Sequence, residues 1–96
     1  MGKRADMNPF LEKVKKVLRE EDIEGYIDVH GAPDNEYDSE AQDIAEAMHA
    51  LKDRHLTEDD ILALIVPIWA KYFNLEGDEL ELRIPNLRKA AKRLVA

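Results

Sequence analysis

Between Ile61 and Phe73 eleven of thirteen residues are apolar, with Pro67 and Lys71 the interruptions, and this stretch limits the possible folds more than any other feature. On a helical wheel Ile61, Leu62, Leu64, Ile65, Val66, Ile68, Trp69, Tyr72 and Phe73 cover about 200°, leaving Ala63, Pro67, Ala70 and Lys71 on the other side. A helix apolar nearly all round must be covered by its neighbours. It is too short for a membrane span, which takes about 20 residues, so the remaining chain has to supply amphipathic partners. Ninety-six residues leave room for one core and a few such elements. The expectation is a single domain over 1–96, with residues 1–6 a disordered extension and a kink at Pro67, whose missing N–H leaves the Ala63 carbonyl unpaired.

The partners are legible as helices. Asn8-Pro9 has the form of a helix start, asparagine as N-cap and proline first inside. Phe10, Leu11, Val14, Val17 and Leu18 then recur on one face, and the helix fades near Glu20 to Asp22. Periodicity is lost from Ile23 to Asn35, a long loop that Tyr26, Ile27 and Val29 can pack. Ser39-Glu40-Ala41-Gln42 has the form of a capping box, and Tyr37, Ala41, Ile44, Ala45, Met48 and Leu51 form the second stripe. Thr57 and three following acids open the third helix, where carboxylates suit the helix dipole. Residues 79–84 alternate as a strand would, yet Leu80, Ile84 and Leu87 also sit at helical spacing, so both readings stay open. Pro85-Asn86 reads as the start of a last helix with Leu87, Ala90, Ala91 and Leu94 inward. The expected fold class is all-α, a bundle-like domain of about four helices with a long loop after the first.

Charge is distributed unevenly. Residues 1–19 carry a net +4, residues 20–60 a net −13 and residues 61–96 a net +2, within a total of −7. Such a field repels phosphate backbones, so no nucleic-acid partner is expected. No signal core or anchor is visible, which gives the expectation of a cytoplasmic protein with no membrane partner. The lack of cysteine removes disulfides, thiolate metal sites and cysteine nucleophiles together.

No assembled chemical motif emerges, so no catalytic residue, metal ligand or cofactor is expected. Counted as a calcium loop from Asp34, the chain has Ser39 where glycine is needed and Ala45 where the bidentate glutamate belongs. His30, His49 and His55 form no His-Glu-x-x-His pair. Ser39 and Thr57, the sole serine and threonine, are explained as caps. The four glycines are scattered, which excludes a phosphate-cradling loop.

The run Gly31-Ala32-Pro33-Asp34-Asn35-Glu36-Tyr37-Asp38-Ser39-Glu40, leading into a helix, resembles a family of small bacterial proteins of unknown function with a Gly-Ala-Pro-x-x-Glu-Tyr-Asp-Ser segment. The similarity extends over about residues 23 to 75. It implies a bacterial, cytoplasmic, helical protein and draws attention to Glu36, Tyr37 and Asp38.

Two functions compete. The first is a non-catalytic interaction module, inhibitor-like or immunity-like, that offers its acidic middle to a basic protein surface. Its candidate residues are Asp34, Glu36, Tyr37, Asp38, Glu40 and Asp43, joined by Trp69, Tyr72 and Phe73 at the end of the apolar helix. Those three aromatics also suggest a homodimer, because three single-stripe helices can scarcely cover a 200° arc. The second function is a small enzyme or metal-dependent site built from His30, Asp34, Glu36, Tyr37 and Asp38.

Overall fold

A computed structural model describes residues 8–25, 27, 31 and 36–95. The order is α1 (Leu11–Glu21), α2 (Asp38–Ala50), α3 (Glu58–Phe73) and α4 (Asp78–Leu94), with no strand among the described residues. The all-α reading holds. No helix among these residues is long and apolar enough to cross a membrane.

α1 buries Leu11, Val14, Val17 and Leu18, the i, i+3, i+6, i+7 face of its stripe. Its helical hydrogen bonding begins two residues later than Pro9, but Asn8 still serves the start. Its Oδ1 accepts from the Phe10 amide at 2.8 Å while its Nδ2 donates to the Ala45 carbonyl at 2.9 Å, tying the head of α1 to the tail of α2. Asp22 closes α1 in the left-handed conformation, φ 43°, donating its N–H to the Leu18 carbonyl. A non-glycine residue there is uncommon. The Asp22 carboxylate is also a structural acceptor, from the Tyr37 hydroxyl at 2.7 Å and the Ile27 amide at 3.2 Å. Ile27 packs on the core as expected of the loop, whereas Tyr26 and Val29 lie outside the described residues.

α2 corrects one sequence expectation. The helix begins at Asp38, so Ser39 is inside it rather than capping it, and Gln42 donates to Glu46 instead of reaching back. Burial fixes that boundary: the Tyr37 ring is in the core just before the first turn, with its hydroxyl held by Asp22. The Thr57 cap at α3 holds, and it is a full capping box. Thr57 Oγ1 accepts from the Asp60 amide at 3.2 Å and Asp60 returns a carboxylate to the Thr57 amide at 3.0 Å. That reciprocal bond holds the Asp60 carboxyl below its usual range.

α3 runs through Pro67 as one element, and the proline is exposed, so water can serve the carbonyl it leaves unpaired. It ends at Asn74, φ 53°, with the Leu75 amide returning to the Ala70 carbonyl at 3.0 Å and Leu75 itself buried. Gly77 follows with φ 57° and ψ −130°, a conformation glycine adopts without a Cβ penalty.

The 79–84 ambiguity resolves as helix, and α4 starts seven residues before Pro85. A strand would have set Leu80, Leu82 and Ile84 on one face. Instead Leu80 and Ile84 are half-buried while Leu82 is 73% exposed. Acids Asp78, Glu79 and Glu81 occupy the first turn, where the dipole favours them. Pro85, like Pro67, is tolerated on the exposed side.

Successive helices run antiparallel. Asn8 meets Ala45 and Lys15 meets Asp38; Tyr72 meets Ser39 and Asp43; Arg88 meets Glu58 and Asp59. α4 then packs on α1, so the four helices form a closed cycle in which α3 rests chiefly on α2 and α4. The apolar helix is therefore one member of a ring and not a hub ringed by the other three.

Candidate interaction surface

The acids of the chain divide according to what faces them. α4 carries Arg83, Arg88 and Arg93, and residues five apart on a helix point about 140° away from one another. Each arginine consequently reaches a different neighbour. Arg83 grips Glu24 with Nε at 2.9 Å and Nη2 at 3.0 Å, and the Trp69 indole N–H donates to the same carboxylate at 2.8 Å. Glu24, with its side chain 5% exposed, thus joins the loop after α1 to α3 and α4. Arg88 bonds Glu58 and Asp59, each at 2.9 Å. Arg93 bonds Glu20 and, at 3.0 Å, Glu21, and its guanidinium holds the Glu20 carboxyl below the usual carboxylate range.

The outer face of α2 has no such supply. Glu36, Asp38, Asp43 and Glu46 are exposed or half-buried around its first turns. Among the described residues the one cation within ion-pair distance of a carboxylate of this group is Lys15, at 3.9 Å from Asp38 and 3.7 Å from Glu12 of its own helix. Glu40 lies inward of them, 6% exposed. Burial pushes its carboxyl up, its own backbone N–H opposes that, and Glu36, Asp43 and Asp38 add to the rise.

Tyr72 borders this face. Its hydroxyl donates to Asp43 Oδ2 at 2.8 Å and lies 3.4 Å from the Ser39 carbonyl, with the residue 39% exposed. The hydrogen bond to Asp43 raises its pKa, with burial and the neighbouring acids contributing. Lys15, Asp38, Ser39, Gln42, Asp43 and Tyr72 enclose a shallow, open depression of about 440 Å3.

The sequence-derived candidates therefore separate. Asp38, Asp43 and Tyr72 come together at the depression, with Glu36 in the turn before α2 and Glu46 one turn beyond Gln42 on the helix. Asp34 and His30 lie outside the described residues. Tyr37 and Trp69 are core residues instead of surface contacts: their centroids are 5.6 Å apart, and Phe73, half-buried, stands 4.9 Å from Trp69. The aromatic patch on which a homodimer was expected is thereby reduced to Tyr72. The Tyr37 hydroxyl donates to Asp22 Oδ1 at 2.7 Å. Among the described residues no three His, Asp or Glu are grouped to hold a metal ion. Sequence reasoning missed Lys15, Glu24 and Arg83. The one available signal was Trp69, whose buried N–H demands an acceptor but does not say which.

Comparison with known protein families, with curated proteins and with solved structures yields no match to this chain.

Proposed function

We propose that the protein is a non-catalytic interaction module, in the manner of a small inhibitor or immunity protein, that presents the outer face of α2 and the Tyr72 ring to a basic surface of another protein. One observation carries this reading: Glu20 and Glu21 of α1, Glu24 of the loop after it and Glu58 and Asp59 of α3 are matched by arginines of α4, while among the described residues the acids of α2 have a single distant lysine. Uncompensated like charges on one helix cost stability, and a cationic partner would relieve that repulsion. Lys15 already occupies the rim of the depression as a weak internal ammonium. The exposed part of the Tyr72 ring adds an aromatic face, a residue type enriched in interface cores, and Lys71 stands 5.9 Å from its centroid as a cation would.

The test is a titration with a fluorescent oligoarginine peptide. Affinity should fall steeply as salt is raised, and Asp38→Asn with Asp43→Asn should weaken it about fivefold, taking about 0.5 kcal/mol for each exposed pair. Glu58→Gln with Asp59→Asn, on the neutralised side, should leave it unchanged. Equal losses from the two double variants would refute the assignment of this face.

A further inference from the structure

At the end of α3 remote from Tyr72, the turn between α2 and α3 meets the first turn of α1 and the last turn of α4 around a second cleft, of about 160 Å3. Its floor is apolar: Met48, Ile61 and Leu94 are buried there, and Phe10 and Leu56 are half-buried. Its rim is cationic, because Lys52 and Arg54, with His55 beside them, line the same cleft from exposed positions. We propose that this cleft binds a small organic monocarboxylate with a compact apolar body, an aryl or branched aliphatic acid, the body on Met48, Ile61 and Leu94 and the carboxylate at Arg54 and Lys52.

The volume suits such a body, being close to that of an apolar cavity that takes up benzene, roughly 150 Å3. The rim suits such a head. Arg83, Arg88 and Arg93 are each held by acids of the chain, whereas among the described residues neither Lys52 nor Arg54 has a carboxylate within ion-pair distance. Two acids lie close in the chain or in the field. Asp53 is exposed and does not line the cleft. Asp60 feels the charges of Arg54 and His55, but its carboxylate is engaged by the Thr57 amide at 3.0 Å. Arginine offers a planar fork matched to a carboxylate. A single negative charge is preferred to a phosphate dianion because the whole chain carries −7 and only two lysine or arginine side chains line this rim. The site is independent of the α2 face, so neither reading depends on the other.

The experiment is a methyl-NMR titration of the full chain with para-toluate and, separately, with the neutral para-toluamide. Both should shift the methyl resonances of Met48, Ile61 and Leu94, and the acid should bind about fivefold more tightly, as expected for an exposed pair worth about 1 kcal/mol. Lys52→Gln with Arg54→Gln should abolish that preference while leaving the amide affinity unchanged; these positions are exposed, so the variant should fold. Equal affinities for acid and amide, an unchanged preference in the double variant, or no response of the floor methyls at millimolar ligand would each overturn the proposal.

Discussion

The side of the molecule turned toward α4 and the outer face of α2 draw on the same acidic stretch, yet they behave as different materials. Toward α4, Glu20, Glu21, Glu24, Glu58 and Asp59 each accept from an arginine, and one of those contacts is buried and shared with an indole. On α2 and the turn before it, Glu36, Asp38, Asp43 and Glu46 are exposed or half-buried, with Lys15 at 3.9 Å from Asp38 the nearest cation among the described residues. A net charge of −13 over residues 20–60 therefore has no single meaning. Part of it is structural cement, and part is an unbalanced field on the outer face of α2.

The comparison can be broken most severely at the residue that joins the two sides. Tyr37 is buried at the root of α2 and hydrogen-bonds Asp22, so Tyr37→Ala should cost about 3 kcal/mol, as large aromatic truncations do. Urea denaturation measures it, and a loss below about 1 kcal/mol would show that the ring is not the anchor described. Next comes the arginine-matched side. Glu24→Ala leaves the Trp69 indole and Arg83 without this acceptor; removing one partner of a buried pair costs about 3–5 kcal/mol, and the 28% exposure of Arg83 reduces the expectation to about 2 kcal/mol. Trp69 fluorescence should shift at the same time, reporting the altered surroundings of the indole.

Smaller effects sharpen the contrast. Thr57→Ala removes the acceptor of the α3 capping box and should cost about 1 kcal/mol in the same denaturation assay. The smallest effect has the opposite sign. The folded Glu40 carboxyl holds its proton above its ordinary value of 4.5, so the native state binds more protons than the unfolded state between that value and the folded pKa. Stability from this group falls as pH rises through that window, and charged Glu40 is a burden at neutral pH. Glu40→Gln should accordingly raise the urea midpoint at pH 7, with the gain shrinking as pH drops through that window toward 4.5. A gain independent of pH would assign the effect to packing instead.

Much of this architecture could be read from residue order. The stripes of Leu11, Val14 and Leu18, and of Ala41, Ile44 and Met48, are helical by spacing and buried as that spacing requires. Thr57 was legible as a cap because it stands directly before a run of acids and an apolar helix; its reciprocal bond with Asp60 came with the structure. Misreadings arose where a local signal was overruled by distant contacts. Pro85-Asn86 looks like a helix start, but an exposed proline is affordable inside α4 and the core needs Leu80 as well as Leu87. Ser39 looks like a cap, but the buried Tyr37 ring places the turn two residues earlier. Trp69, Tyr72 and Phe73 looked like one patch, and α2 divides them by giving Asp43 to Tyr72 alone. The surface and the cleft were less legible still. Which acids stay unmatched depends on where three arginines arrive from α4, and the cleft is lined by Phe10 just before α1, by α2, α3 and α4, and by the turn at 52–56.

The closed cycle of helices, in which α4 packs on α1 and both Phe10 and Leu94 line one cleft, makes the order of the helices circular. A ring has no privileged opening. Each helix would keep both packing neighbours if α1 and α4 were joined through their flanking residues and the chain were cut at the exposed Glu76 between α3 and α4. Circular permutation is tolerated where chain ends lie close and the new cut falls in an exposed turn. The peptide bond between α3 and α4 is then dispensable to the native state, and what it contributes is kinetic: it makes that helix pairing local in sequence, the kind of contact that forms early and cheaply.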